Sequence, residues 1–91
     1  MKYEIVSTGR FKKDLKTIIK RGYNIQLLQE VISLLVAGIP LPEKNKDHML
    51  AGNWFGYREC HITPDWLLIY KLDNDILVLT LTRTGTHSDL F

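Results

Sequence analysis

All three histidines of the chain, His48, His61 and His87, fall in its C-terminal half. Asp65 and Trp66 follow His61 closely, Arg83 precedes His87 by four positions, and the sequence ends on Phe91. Imidazoles exchange protons near neutral pH, and a guanidinium is a permanent cation. Together they supply the parts for cleaving RNA without a metal. A general base takes the proton of a ribose 2′-OH, and the oxygen attacks the adjacent phosphate. A cation steadies the crowded phosphorane, and a general acid protonates the leaving 5′-oxygen. Aromatic rings such as Trp66 and Phe91 suit stacking on unpaired bases.

Plainer readings compete at each position. A single histidine is commonly a surface or structural residue, and the two tryptophans commonly belong to a core or an interface. Arg83 has acids such as Asp65 and Glu59 to pair with, while Asp47 and Asp89 read as turn or surface acids. The histidine spacings are not those of a zinc site, so no metal or other cofactor is expected. Cys60 and His61 are neighbours in an expected strand and point to opposite faces, which rules out a nucleophile–base pair. Cys60 reads as a small packed hydrophobe. Phosphate-cradling glycine loops and the H-E-x-x-H zinc motif are absent.

The elements that must position these groups follow from periodicity. "KYEIVS" (2–7) reads as a first strand. Ser7 or Thr8 can cap a helix over 9–21, where Phe11, Leu15, Ile18 and Ile19 recur at helical spacing and Gly22 marks the stop. Asn24 caps a second helix with the stripe Ile25, Leu28, Val31, Ile32 and Leu35, ended by Gly38. Residues 39–52, with two prolines, read as a loop. Strands are expected at 53–62, 66–72 and 76–82, joined by the turns 63–65 and 73–75. The apolar run "WLLIYKL" suits a central strand covered on both faces.

The expected fold class is therefore α+β, with the order β-α-α-β-β-β. The C-terminal strands form an antiparallel meander, and two helices pack on one face of the sheet. Residues 1–91 are expected to be one domain. The turn 63–65 places His61, Asp65 and Trp66 at one end of the sheet. Arg83 ends a strand parallel to 53–62 and reaches the same end, and Gly85 lets the tail turn across it.

Composition narrows the function classes. No apolar run is long enough to cross a membrane, and no apolar signal segment opens the chain, so a cytoplasmic protein is expected. The net charge of +2 hides an asymmetry. Residues 1–22 carry seven Lys/Arg against two acids, whereas residues 23–91 carry five against eight. The basic third suits an acidic partner, a phosphate backbone or simply a solvated helix face. The overall charge is low for an enzyme that grips nucleic acid unaided.

The blocks K-D-H (46–48), H-x-x-P-D-W (61–66) and R-T-G-T-H-S-x-L-F (83–91) are specific in combination. With them the chain resembles the YafQ branch of the RelE-type toxins of bacterial toxin–antitoxin modules. The resemblance spans nearly the whole chain and is sharpest over 46–70 and 82–91. It implies a ribosome-dependent endoribonuclease that cuts mRNA in the decoding site. It further implies a cognate antitoxin that wraps and inhibits it, with DNA reached only through the antitoxin complex. Carried over by position, the active-site residues are His48, His61, Asp65, Arg83, His87 and Phe91, with Lys46 and Trp66 as substrate contacts. His87 on the tail is the expected general acid, Arg83 the phosphorane-stabilising cation, and Phe91 a contact to a base or a tail anchor. His48, His61 and Asp65 all remain open as the base. A non-catalytic module that holds an acidic protein partner is the competing function.

Overall fold

The structure, a computed structural model, describes residues 2–91. Five strands form one sheet, with β1 (Glu4–Ser7), β2 (His48–Met49), β3 (Arg58–Thr63), β4 (Trp66–Asp73) and β5 (Val78–Gly85) in the order β1-β5-β4-β3-β2. β1 runs parallel to β5, and every other neighbouring pair is antiparallel. The expected α+β meander is present, and the sheet is one strand larger than expected. The fifth strand is β2, two residues inside the segment expected to be loop, and it carries His48 to the sheet edge. Two residues are too short to show an alternating pattern, so no periodicity announces them.

α1 (Gly9–Lys20) starts where the Thr8 hydroxyl accepts the Phe11 N–H at 3.0 Å. α2 (Ile25–Ala37) is capped by Asn24 and ends on Gly38, whose left-handed φ of 72° suits glycine. Phe11 and Ile18 from α1 and Leu28, Val31, Leu35 and Val36 from α2 bury against Cys60, Trp66, Leu68, Tyr70, Leu79 and Leu81 of the sheet. Burying one such aliphatic side chain stabilises the fold by roughly 1.5–3 kcal/mol. This face holds the main core.

The opposite face holds a smaller apolar cluster. Leu67 and Ile69 of β4 pack with Leu90 of the tail, and Leu50, Trp54 and Tyr57 border them. β4 is thus covered on both faces, as its apolar run requires. β3 begins at Arg58 rather than residue 53, because Gly52–Trp54 form a 3-10 turn. β5 begins two residues later than expected and extends to Gly85, so Arg83 lies inside the strand. The tail closes with a single helical turn, α3 (His87–Leu90).

One irregularity decides where Arg83 faces. Ile69 pairs with Arg83 but Tyr70 pairs with Leu81, leaving Thr82 as an extra residue in β5. Side chains alternate along a strand, so without the bulge Leu79, Leu81 and Arg83 would all face the helices. With it, Leu79, Leu81 and Thr84 face the main core, and Arg83 belongs to the opposite, open face.

Candidate active site

Strand register assembles the first half of the site. His48 pairs with Glu59, Glu59 with Ile69, and Ile69 with Arg83, which makes a row across the open face. Directly paired residues project to the same side. His61, Leu67 and Gly85 form the next row. The row from β2 to β5 spans three strand spacings, about 14 Å.

At the β2 end, Glu59 lies between two imidazoles. Its Oε1 is 3.7 Å from Nε2 of His48 and 3.8 Å from Nε2 of His61. The carboxylate is only 5% exposed, whereas His48 is about half exposed and His61 about one-fifth. The other ring nitrogen of His48, Nδ1, is 2.7 Å from the Lys46 carbonyl. A carbonyl only accepts, so Nδ1 carries the hydrogen, and in the neutral ring the lone pair sits on Nε2.

The segment leading to His48 is firmly tied down. Asn45 donates through Nδ2 to the His61 carbonyl at 2.7 Å. Asp47 pairs with Arg58 at 3.0 Å and accepts a short hydrogen bond from the Tyr70 hydroxyl. Burial and then that carboxylate push the Tyr70 hydroxyl well above its usual pKa, so it stays a donor. Asp47 is therefore the anchor of β2 rather than a plain surface acid.

At the β5 end, Arg83 holds Asp14 of α1 in a two-point contact, Nε to Oδ2 at 2.7 Å and Nη2 to Oδ1 at 3.0 Å. Asp14 also accepts the Thr84 N–H at 3.2 Å. β1 stops at Ser7, opposite Leu81, so this stretch of β5 has no outer strand and α1 covers its edge instead. The partner is neither Asp65 nor Glu59, the acids expected from sequence. Hydrogen bonding to Asp14 raises the Arg83 pKa further, against a smaller loss from burial. The guanidinium remains charged, with Nη1 outside the Asp14 contact.

The tail forms the second half. The Thr86 hydroxyl accepts the Asp89 N–H, and the Asp89 carboxylate accepts the Thr86 N–H at 2.9 Å, a reciprocal cap that starts α3. Arg21 at the end of α1 grips the same carboxylate at 2.6 and 3.1 Å. These bonds, the Arg21 contact first, hold Asp89 well below the usual carboxylate pKa. Gly85 has a φ of 159°, which residues with a side chain rarely adopt, so glycine lets the chain turn there; a Cβ would also lie 2.9 Å from Asp89 Cβ, so its absence leaves room for the folded tail.

Thus anchored, His87 reaches an open cleft of about 560 Å³ with Tyr23, Pro64, Asp65, Thr86 and Ser88. The Phe91 ring stands 5.2 Å from the His87 ring and 6.4 Å, edge-on, from Trp54, and the residue is 56% exposed. Lys46 is exposed beside His48.

Trp66 has a different role from the substrate contact expected, whereas Cys60 is the packed hydrophobe it was read to be. Trp66 is 1% exposed, donates Nε1–H to the Thr84 hydroxyl at 2.8 Å and meets Tyr23 edge to face at 5.2 Å. It offers no ring to a base, because the alternation of β4 sends it beneath the helices. Cys60 is fully buried, and burial pushes its thiol far up in pKa, so it is inert. Sequence reading passed over Glu59, Asp14, Arg21 and Trp54 as site residues. Glu59 carried a signal, since it stands two positions before His61 in one strand. Asp14, 69 residues from Arg83, carried none.

The profile of the family described as "Bacterial toxin of type II toxin-antitoxin system, YafQ" matches residues 3–91. The chain belongs to the YafQ toxin family. It is 44% identical over 89 residues to the mRNA interferase toxin YafQ of Escherichia coli K12, covering 97% of this chain and 95% of that one. The crystal structure of the E. coli DinJ–YafQ toxin–antitoxin complex contains a chain of the same fold. It matches with a TM-score of 0.91, 42% identity, and 100% and 99% of the two chains covered. A metal-bound toxin from Helicobacter pylori matches with a TM-score of 0.92 at 42% identity, over 98% and 99% of the chains. In this YafQ-family chain, no group of three or more His, Cys, Asp or Glu among the described residues is arranged to hold a metal ion.

Proposed function

We propose that this chain is the endoribonuclease of a type II toxin–antitoxin pair and that it cleaves mRNA on the ribosome by general acid–base catalysis. The observation that carries this reading is the folded tail, which brings His87 into one cleft with Asp65 at the end of the sheet that also bears His61. The open face thereby gathers residues from β2, β3, β5 and the tail into one proton-transfer surface.

His87 is the general acid. It is exposed on a short capped turn and can approach a leaving 5′-oxygen, to which it gives its proton. The base that takes the 2′-OH proton is His48, His61 or Asp65, all at the surface. Arg83 stabilises phosphorane charge, and its contact with Asp14 keeps the guanidinium from wandering. Phe91, more than half exposed beside His87, packs on a base near the scissile bond. Lys46 contributes a cation for the RNA backbone. The exposed Lys12, Lys13, Lys16 and Lys20 of α1 suit the phosphate surface of the ribosome, which supplies positioning that a net charge of +2 does not. The relatives' partnership with an antitoxin extends by this reading to a cognate antitoxin for this chain, with DNA contacted only in that complex.

The test is incubation with programmed ribosomes and mRNA, followed by mapping of the cut sites. Cleavage that requires the ribosome and is lost in His87→Gln is the expected result. Tight binding to the antitoxin with no cleavage on translating ribosomes would overturn the reading in favour of a non-catalytic binding module.

A further inference from the structure

A single turn of helix does not hold itself in place. Isolated helices shorter than about 12 residues are marginal in water, and α3 has four residues. This turn nevertheless carries His87, whose ring has the Phe91 ring of the same tail as a neighbour at 5.2 Å. The place of His87 over the cleft therefore depends on whatever ties the turn to the rest of the fold. Leu90 supplies an apolar contact on the smaller cluster. The polar tie comes from Arg21, at the end of α1.

Arg21 donates through Nη1 to Oδ2 of Asp89 and through Nη2 to Oδ1. Oδ2 also accepts the Thr86 N–H at 2.9 Å, so one carboxylate joins the start of α3 to the end of α1. Gly22 follows with a φ of 79°, and then comes Tyr23. Tyr23 lines the cleft with His87 and Asp65, and its ring meets the buried Trp66 edge to face. The same turn thus grips the tail and forms part of the cleft that the tail enters. The Arg21–Asp89 pair is partly exposed, and such pairs add little to global stability. Its effect is local, because it selects one place for a short segment that otherwise samples several.

We propose that Arg21 is a positioning residue for the proton-donating step, holding His87 over the cleft through Asp89. This rests on the ribonuclease reading above. In that reaction the 2′-oxygen loses its proton to the base and bonds to phosphorus. The bond from phosphorus to the 5′-oxygen breaks, and His87 gives that oxygen its proton. Arg21 exchanges no proton and touches no substrate. The competing role is that of one more cation for ribosomal phosphates, alongside Lys12, Lys13, Lys16 and Lys20 of the same helix. The two roles separate in the kinetics.

The experiment is single-turnover cleavage of mRNA over a range of programmed-ribosome concentrations, paired with amide exchange of the free protein. Arg21→Gln is expected to lower the maximal rate about 10- to 100-fold and to leave the half-saturating ribosome concentration unchanged. Combined with Asp89→Asn, it is expected to cost no more than Asp89→Asn alone, because both substitutions break one contact. In the free protein, Arg21→Gln should speed exchange at residues 86–91 and leave β4 at the wild-type rate. A raised half-saturating concentration with an unchanged maximal rate overturns the proposal in favour of ribosome binding, and additive losses in the double variant overturn it as well. If the unsubstituted protein does not cleave, the ribonuclease reading fails. If it cleaves and the tail of Arg21→Gln exchanges as in the wild type, this proposal fails alone.

Discussion

The two faces of this sheet are built on opposite terms. The face beneath α1 and α2 is a continuous apolar layer in which even the polar atoms are committed, as with Trp66 and Thr84. Among the described residues, the open face keeps three buried apolar residues, Leu67, Ile69 and Leu90, and surrounds them with His48, Glu59, His61, Arg83 and the His87 tail. One face holds the fold, and the other carries the chemistry in the proposed reading. What links them is α1, which buries Phe11 and Ile18 on one side and reaches around the β5 edge with Asp14 and Arg21.

This division makes unequal predictions for substitutions on the two faces. His87→Gln on the open face should cost about 10²–10⁴-fold in cleavage of ribosome-bound mRNA while leaving the urea midpoint unchanged. Leu68→Ala on the helix face should do the reverse. It should destabilise by about 2–5 kcal/mol in urea unfolding, while the folded fraction cleaves normally. A Leu68→Ala protein that is stable yet inactive would break the division.

Leu90→Ala sharpens the comparison, because Leu90 is the tail's apolar anchor on the smaller cluster. The expected cost in stability is near the low end of the range for buried leucines, about 2 kcal/mol, with a disproportionate loss of cleavage. Removal of Phe91 alone should shift stability by no more than about 0.5 kcal/mol, since the residue is mostly exposed, and still impair cleavage. Equal losses of stability and activity would mean that the tail serves only to cover the sheet.

The smallest effect is expected from acid. Asp89 has a lowered pKa in the folded protein, so its contribution is present above the ordinary aspartate value of about 3.9 and fades as pH falls below it. The tail should loosen in that window before the main core unfolds. Amide exchange of residues 86–91, compared with β4, measures this. Asp89→Asn should show the loosened tail already at neutral pH.

Much of the framework was legible because it is local. Thr8, Asn24 and Gly38 stand where caps and stops belong, α1 and α2 carry a clear 3.6-residue period, and the meander shows as apolar runs separated by turn residues. The site was legible as a set of residue types and, through motif resemblance, as a family. It was less legible as an arrangement. Trp66 sat in the right block and turned inward. Glu59, overlooked, turned outward between two histidines. Both outcomes follow from which face each strand position takes, and that depends on register with strands elsewhere in the chain.

By itself the sequence determined the two long helices, the first strand and the three-stranded meander, the central position of β4 and the chemical inventory of the C-terminal half, since these depend on local periodicity and residue type. Tertiary structure decided the rest. The extra residue at Thr82 aims Arg83 to the open face, and pairing brings His48 beside Glu59. α1 supplies Asp14 and Arg21 to a cation and a tail nearly 70 residues away. Such contacts join groups whose distance along the chain bears no relation to their distance in space, and only packing of the whole chain brings them together.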